Sequence, residues 1–218
     1  TGTPGPYCEV RGRSHRRTQS SCACPLRLDA RYVQTGCGGL CGSANINYTM
    51  AGTCPVITDG TVASATTDMG HQAERRLVGG RNPRAQIDFA YRGVHVTAVV
   101  AKALLKMFYG RAPAYSYFDG CSDGGREALM EAQRYPKDFN GIAAGAPANN
   151  MAVQNTFHHA WNVLTNLDSK GQYILLADKL PLIHAAVLKA CDGLDGLSDG
   201  VLDDPRRCDF DPAADLPL

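Results

Sequence analysis

Apolar and polar positions along the chain follow two different periods. Residues 31–35 (Arg-Tyr-Val-Gln-Thr) and 61–67 (Thr-Val-Ala-Ser-Ala-Thr-Thr) are short and β-branched, which predicts strands. Residues 114–118 (Ala-Tyr-Ser-Tyr-Phe) predict an aromatic strand, and 141–145 (Gly-Ile-Ala-Ala-Gly) a buried central one, being apolar and bounded by turns. Elsewhere the period lengthens. Val96, Val99, Val100, Ala103, Leu104, Met107 and Phe108 recur near 3.6 residues and predict an amphipathic helix over 94–109 with those residues as its apolar face. Ala128, Leu129 and Ala132 predict a second helix over 126–135, stopped by Pro136. Strands alternating with helices imply an α/β fold with a parallel sheet. Residues 13–30 have neither period and read either as a loop or as a damaged reading frame.

The pattern changes near Ala146. Helical stretches at 151–167 and 173–190 lead into a glycine-rich acidic loop, 191–211. This predicts one unit over 1–147 and the beginning of a second, or of an insertion, over 148–218.

Composition narrows the function classes. With 22 basic and 21 acidic residues the net charge is +1, so there is no electrostatic case for nucleic acid or an anionic membrane. No apolar run approaches the ~20 residues of a membrane span. Nine cysteines suit an oxidising compartment. Cys22-x-Cys24 and Cys37-x3-Cys41 lack zinc-site spacing, so disulfides are the preferred reading, and an odd number leaves at least one cysteine without a partner in the chain.

Gly120-Cys121-Ser122-Asp123-Gly124 fits the Gly-x-Ser-x-Gly pattern of a serine nucleophile on a sharp strand-to-helix turn, and it lies between the predicted strand and helix that the pattern requires. Ser122 is therefore the candidate nucleophile. A Cβ at Gly120 or Gly124 would keep its hydroxyl from projecting. Acyl transfer also needs N–H donors for the oxyanion. Asp123, the residue after the serine, offers one. Gly38 or Gly39, in the Gly36–Gly42 loop after the first predicted strand, offers the other; the competing reading of that loop is a tight turn pinned by Cys37 and Cys41. In this hydrolase order the acid and base follow the serine. The later histidines, His158, His159 and His184, sit in helix-like stretches, whereas His71 and Asp68 lie in a strand-end loop that could border the site. The catalytic Asp and His are accordingly expected beyond Leu218, in strands that would complete a truncated core. Cys121 lacks a visible base and is expected to tie the turn to another loop by a disulfide.

The acidic loop places Asp192, Asp195, Asp199 and Asp203 within twelve residues. Such carboxylates repel one another unless a cation neutralises them. Hard oxygen ligands among glycines suit calcium, although the spacing is not that of an EF-hand. A solvated acidic turn is the alternative. Cys191 and Cys208 flank the loop and could close it as a disulfide.

Taken together, the chain resembles the tannase/feruloyl esterase family of α/β-hydrolases, which includes mono(2-hydroxyethyl) terephthalate hydrolase. The resemblance rests on Tyr7-Cys8-Glu9-Val10, on residues 31–42 (Arg-Tyr-Val-Gln-Thr-Gly-Cys-Gly-Gly-Leu-Cys-Gly) and on Thr67-Asp68-Met69-Gly70-His71. It continues through Asp88-Phe89-Ala90-Tyr91-Arg92, residues 117–126 around Ser122, Ala132-Gln133-Arg134-Tyr135-Pro136, Gly145-Ala146-Pro147 and the 192–201 loop. It implies a secreted or periplasmic serine esterase whose partner is a small aromatic ester (tannin, feruloyl or terephthalate type), cleaved through an acyl-enzyme on Ser122. It also implies an inserted lid domain with a structural calcium, held by the side chains of Asp192, Asp195 and Asp199 and the carbonyls of Leu197 and Val201. In such proteins the cysteine before the serine bonds a cysteine beside the catalytic histidine, and that partner for Cys121 is absent here. The alternatives are an inactive truncated product that keeps only a calcium-stabilised structural module, and a related hydrolase of non-aromatic esters.

Overall fold

The computed structural model describes residues 7–14, 18–25, 30–46, 61–72 and 82–216. The chain divides into two compact units, Thr1–Met151 and Ala152–Leu218. Six strands of the first unit form one sheet: β1 (Tyr7–Ser14), β2 (Thr18–Pro25), β3 (Arg31–Thr35), β4 (Ala63–Thr67), β5 (Tyr115–Cys121) and β6 (Gly141–Gly145). Their order is β1-β2-β4-β3-β5-β6.

The sheet is mixed, not wholly parallel. β3 runs parallel to β4 and β5, and β6 parallel to β5, but β2 is antiparallel to both β1 and β4. Residues 13–30, which read as a loop or a damaged reading frame, instead supply the end of β1 and all of β2. Thr18-Gln-Ser-Ser-Cys-Ala-Cys-Pro25 is small and hydroxyl-rich, so it carries no hydropathy period. It is nevertheless buried along most of its length, because both faces are covered. Its hydroxyls are paired: Ser20 Oγ lies 3.0 Å from Thr97 Oγ1, and Ser21 Oγ donates to Glu9 Oε1 at 2.7 Å.

β6 was expected to be central but is the outermost strand among the described residues, and Ala143, Ala144 and Gly145 are exposed. In β5, Ser116, Phe118 and Gly120 point inward while Tyr115 and Tyr117 are exposed, the alternation of a strand covered on one face. Strand order reverses between β3 and β5, whose parallel register sets Thr35 opposite Asp119. In open α/β sheets the crevice at the carboxyl ends of such a strand pair is where ligands bind.

A short helix, α1 (Pro83–Ile87), starts at Asn82, whose Oδ1 accepts the Arg84 N–H at 3.1 Å. After one wide turn, Asp88–Arg92, it continues into α2 (Gly93–Tyr109). The buried face of α2 is Gly93, Val94, Thr97, Ala98, Ala101 and Leu105, not the stripe of larger apolar residues that the period suggested. Met107 is 80% exposed and Val99 51%. Close helix–sheet contact selects small side chains over the most hydrophobic ones. Gln34 anchors α2 to the sheet by donating to the Val94 carbonyl at 2.9 Å and accepting from Tyr32 Oη at 2.7 Å. Tyr32, Phe118, Met69, Leu105 and Val94 form the centre of the core.

The next helix, α3 (Asp123–Arg134), also turns an unexpected face inward. Ala128 is buried, but Leu129 and Ala132 are exposed, and Asp123, Glu127 and Glu131 are buried instead. Beside Glu131, His95 Nδ1 lies 2.5 Å from Asp138 Oδ2, the His95 ring stacks on Tyr135 at 3.9 Å, and the Lys102 ammonium donates to the Asp138 carbonyl.

In the second unit, the helix expected over 151–167 is a wide-turn segment, Ala152–His158, followed by α4 (His159–Thr165). The one expected over 173–190 begins only at Leu180 and forms α5 (Leu180–Cys191). Residues before it are held by Asn166, whose side chain accepts from Leu175 N at 2.7 Å and donates to Leu175 O at 2.9 Å. α6 (Pro212–Asp215) closes the unit.

Glu131 is fully buried and, among the described residues, neither of its oxygens has a hydrogen-bond partner. Burial pushes its pKa from 4.5 to about 8, with Asp138 adding to the shift and Lys102 opposing it. The folded state thus keeps a proton that the unfolded chain loses near 4.5. This stability is fully present below that pH and declines as pH rises towards about 8. Glu131→Gln removes the titration while keeping the shape. In the full-length protein the variant should lose less melting temperature between pH 5 and pH 8 than the parent. Parallel curves for the two proteins would show that Glu131 does not carry this linkage.

Candidate active site

Ser122 is the single residue between β5 and α3. Its backbone has φ +60° and ψ −117°, a left-handed conformation that costs a non-glycine residue energy and persists only where the surroundings impose it. Those surroundings are hydrogen bonds. The Ser122 N–H donates to the Gly145 carbonyl at 3.1 Å, and its carbonyl accepts from Ala148 N at 2.9 Å and Arg126 N at 3.2 Å. The turn is also tight enough to require glycine. A Cβ at Gly120 would lie 2.3 Å from the Gly124 carbonyl oxygen. The resulting serine is exposed at the N-terminus of a 12-residue helix, where backbone N–H groups and the helix dipole favour developing negative charge.

The Gly36–Gly42 loop is docked on the same turn. Gly36 N–H donates to the Asp119 carbonyl at 2.9 Å, and Gly124 N–H to the Cys37 carbonyl at 2.8 Å. A Cβ on Gly36 would stand 2.5 Å from the Gly124 Cα, so the loop and helix meet backbone to backbone. At the loop's far end Gly42 N–H donates to the Asp68 carbonyl at 3.2 Å. His71 Nε2 donates to the Leu40 carbonyl at 2.7 Å. Cys37 and Cys41 are joined as a disulfide with Cα atoms 5.3 Å apart. Gly38 and Gly39 form the exposed tip, with Gly39 at φ +58°. Among the described residues, no loop or cap hydrogen bond uses the N–H of Gly38, Gly39 or Asp123. The structure thus brings the proposed donor loop against the helix turn that presents Ser122 and Asp123. The loop is pinned by the Cys37–Cys41 disulfide, as the tight-turn reading expects, and its tip N–H groups remain available.

Charged groups lie beneath this surface. Asp123 is buried and pairs with Arg126 through two contacts, at 2.7 Å from Nε and 2.8 Å from Nη2. Arg126 also donates to the carbonyls of Ala90 and Phe89, at 3.1 and 3.2 Å. Sequence reasoning missed this platform, Glu127, and the His95–Asp138 pair. The available signal was the spacing of Asp123, Glu127 and Glu131, four residues apart on one side of a helix.

Among the described residues of the first unit, no histidine is hydrogen-bonded to Ser122. His158, His159 and His184 are exposed on the helices of the second unit. His95 stacks on Tyr135, one residue beyond the C-terminus of α3, about 18 Å along the helix from the end that Ser122 occupies. His71 serves the loop. Asp68 is turned inward, its Oδ1 accepting from Gln19 N at 2.9 Å and Gly70 N at 2.8 Å. Cys8, Cys22, Cys24 and Cys121 are free, so the structure holds no disulfide from Cys121; Cys54 lies outside the described residues.

In the acidic loop, Cys191 and Cys208 are disulfide-bonded, with Cα atoms 5.5 Å apart. The aspartates do not converge. Among the described residues, close groups of three or more metal-ligating side chains occur at Cys37/Cys41/Asp123/Glu127 and at His95/Glu131/Asp138, not here. Each of three aspartates instead orders the loop backbone. Asp192 Oδ1 accepts from Gly200 N at 2.9 Å, Asp195 Oδ1 from Leu197 N at 2.9 Å and Asp199 Oδ1 from Val201 N at 3.1 Å.

A sequence model of tannase and feruloyl esterase matches residues 8–217. The chain belongs to this family. It is 38% identical over 214 residues to an uncharacterized esterase from Xanthomonas campestris pv. campestris, a match covering 94% of the chain and 36% of the relative. It is 34% identical to a probable feruloyl esterase B-2 from Neosartorya fischeri, covering 84% of the chain and 34% of that protein. Among solved structures, feruloyl esterase B from Aspergillus oryzae superimposes with a TM-score of 0.80 at 30% identity, over 95% of this chain and 41% of that one. Tannin acyl hydrolase from Aspergillus niger gives 0.71 at 28% identity, over 95% of this chain and 40% of that one. The chain spans about a third of the length of the curated relatives it matches. Within the family fold the elbow glycines are steric necessities. Gly120→Ala forces a methyl into the Gly124 backbone and should destabilise the full-length protein by roughly 1–3 kcal/mol. Denaturant unfolding measures this; an unchanged midpoint would mean that the turn is looser than described.

Proposed function

We propose that the protein carrying this chain is a serine carboxylic-ester hydrolase acting on aromatic-acid esters of the tannin, feruloyl or terephthalate type. The observation that carries this reading is the strained, exposed Ser122 at a helix N-terminus with a glycine loop docked against the same turn. Ser122 Oγ attacks the ester carbonyl and its proton passes to a histidine base. The carbonyl oxygen gains negative charge, which the N–H groups of Asp123 and of Gly38 or Gly39 receive. Collapse expels the alcohol, which takes the proton from the base, and leaves the acyl group on Ser122. Water then repeats the sequence in reverse roles and releases the acid. The base and its orienting acid are assigned to sequence outside these 218 residues. That assignment accords with relatives about three times as long. The disulfides are in keeping with a secreted or periplasmic enzyme.

In the full-length protein Ser122→Ala should lower kcat on a chromogenic aromatic ester by at least about 10⁴-fold while leaving the melting temperature unchanged. Near-normal turnover would end the assignment and favour the reading of this chain as a structural module.

The same reading includes a structural calcium in the 191–211 loop, at the start of the inserted domain. The residue types suit a hard cation, and their carboxylates would have to draw together around it. Asp192, Asp195 and Asp199 each use Oδ1 on a loop N–H, which leaves Oδ2 for a hard cation, and the carbonyls of Leu197 and Val201 lie in the same loop. Bound there, calcium would neutralise the carboxylates and stiffen a loop already closed by Cys191–Cys208. At a hundredfold excess over Kd it would stabilise the folded state by about 2.7 kcal/mol. Chelation should therefore lower the melting temperature of the full-length protein, and Asp195→Ala should reproduce the loss. Titration calorimetry showing no calcium uptake would leave a solvated acidic turn.

A further inference from the structure

The side-chain cluster at the C-terminal end of α3 has no part in the chemistry assigned to Ser122. It draws on three segments: His95 on α2, Glu131 on α3 and Asp138 in the turn that follows. One imidazole nitrogen and one oxygen from each carboxyl group lie within 4.8 Å of one another. Glu131 is fully buried, and among the described residues neither of its oxygens has a hydrogen-bond partner. Buried carboxyl groups without a partner are rare, and an ion is one of the few things that accounts for them.

The other two side chains are placed as ligands need to be. The His95 ring is fixed by stacking on Tyr135 at 3.9 Å and presents Nδ1 to Asp138 Oδ2 at 2.5 Å. The two side chains are 31% and 16% exposed, which leaves a path for an ion and room for a water ligand. Lys102, the cation beside the cluster, is directed elsewhere: its ammonium donates to the Asp138 backbone carbonyl and lies over the Phe139 ring. The last turn of a helix, where Glu131 stands, also favours positive charge. One nitrogen and two carboxylates suit zinc better than calcium, which takes about six to eight oxygens. Tetrahedral zinc separates its ligand atoms by about 3.3 Å, so His95 and Asp138 have to part by about 1 Å while Glu131 turns in.

We propose that His95, Glu131 and Asp138 form a structural zinc site that ties together α2, α3 and the turn after α3, with water as the fourth ligand. Zinc takes the place of the hydrogen bond between His95 and Asp138, and the proton that Glu131 holds in the metal-free protein passes to solvent. The site is independent of the reaction at Ser122 and of calcium in the 191–211 loop.

The test uses chelator-treated full-length protein, titrated with zinc in the presence of excess calcium. The parent should bind one zinc that raises its melting temperature, and cobalt(II) in its place should show the strong visible absorption of a four-coordinate site. Glu131→Gln keeps the shape and removes a charged ligand. It should weaken that zinc by at least about 10²-fold, since even an outer partner of a ligand can be worth that much, and it should lose the cobalt spectrum. If the Gln variant fails to fold, Asp138→Asn is held to the same criterion. Replacing His158 and His159 together by alanine removes the exposed histidine pair of the second unit and should change neither readout. A parent that binds no zinc would overturn the proposal, as would a parent whose cobalt form shows only the weak absorption of a six-coordinate ion. So would a folded Glu131→Gln or Asp138→Asn variant that binds zinc as tightly as the parent. Loss of the zinc on replacing His158 and His159 would place the ion on that pair and equally end the assignment.

Discussion

The architecture of the site depends on a contact in which no side chain takes part. β5, α3 and the loop after β3 converge at Gly120, Gly124 and Gly36, where hypothetical Cβ atoms would lie within 2.3–3.0 Å of backbone atoms. Three segments of main chain therefore approach as closely as hydrogen bonding allows. Gly36 N–H reaches the end of β5 and Gly124 N–H reaches Cys37. Because the contact is backbone to backbone, its geometry is independent of rotamers. It transmits the position of the parallel strands β3 and β5 directly to Ser122 and to the loop. The strained conformation at Ser122 follows from the same constraint, since the chain must leave the strand and enter the helix within one residue.

That closeness has a consequence for α3. A helix whose first turn must touch backbone on two sides cannot bury large apolar residues there. Its inward face begins with Asp123, Gly124 and Gly125, and carboxyl groups continue along it at Glu127 and Glu131. These carboxyl groups are accommodated in two ways. Asp123 is neutralised by the fork of Arg126, which is itself tied to the carbonyls of Ala90 and Phe89. Glu127 and Glu131 are held neutral by burial. A row of three ionised carboxylates in the interior would be far too costly, and protonation removes most of that cost without requiring further cations.

The sequence was most legible where steric need selects residue types. Gly120, Ser122 and Gly124 stand out because few other residues tolerate that turn, and the glycines of 36–42 stand out for a related reason. The strands at 31–35, 63–67, 115–121 and 141–145 were legible because β-branched or apolar runs are bounded by turns. Legibility failed where burial is achieved with small or polar groups. β2 lies inside the sheet on hydroxyls and thiols, so its hydropathy resembles that of a loop. α2 presents Thr97, Ala98 and Ala101 to the sheet while Val99 and Met107 face outward, so the stronger hydrophobic stripe pointed to the wrong face. A hydropathy period reports what is apolar, whereas close packing reports what is small.

The disposition of the loop carboxylates adds a last physical distinction between the two units. In the first unit Asp68, Asp88, Asp123, Glu127 and Glu131 are buried, and their electrostatics are set by neighbours a few ångströms away. In the 192–201 loop acidic side chains are exposed, and each uses one oxygen to brace a backbone N–H two to eight residues along. Exposed carboxylates in water lose little by remaining charged. Solvent access thus separates the two sets: Glu127 and Glu131 are held neutral by burial, whereas the loop aspartates brace the backbone of a segment closed by Cys191–Cys208.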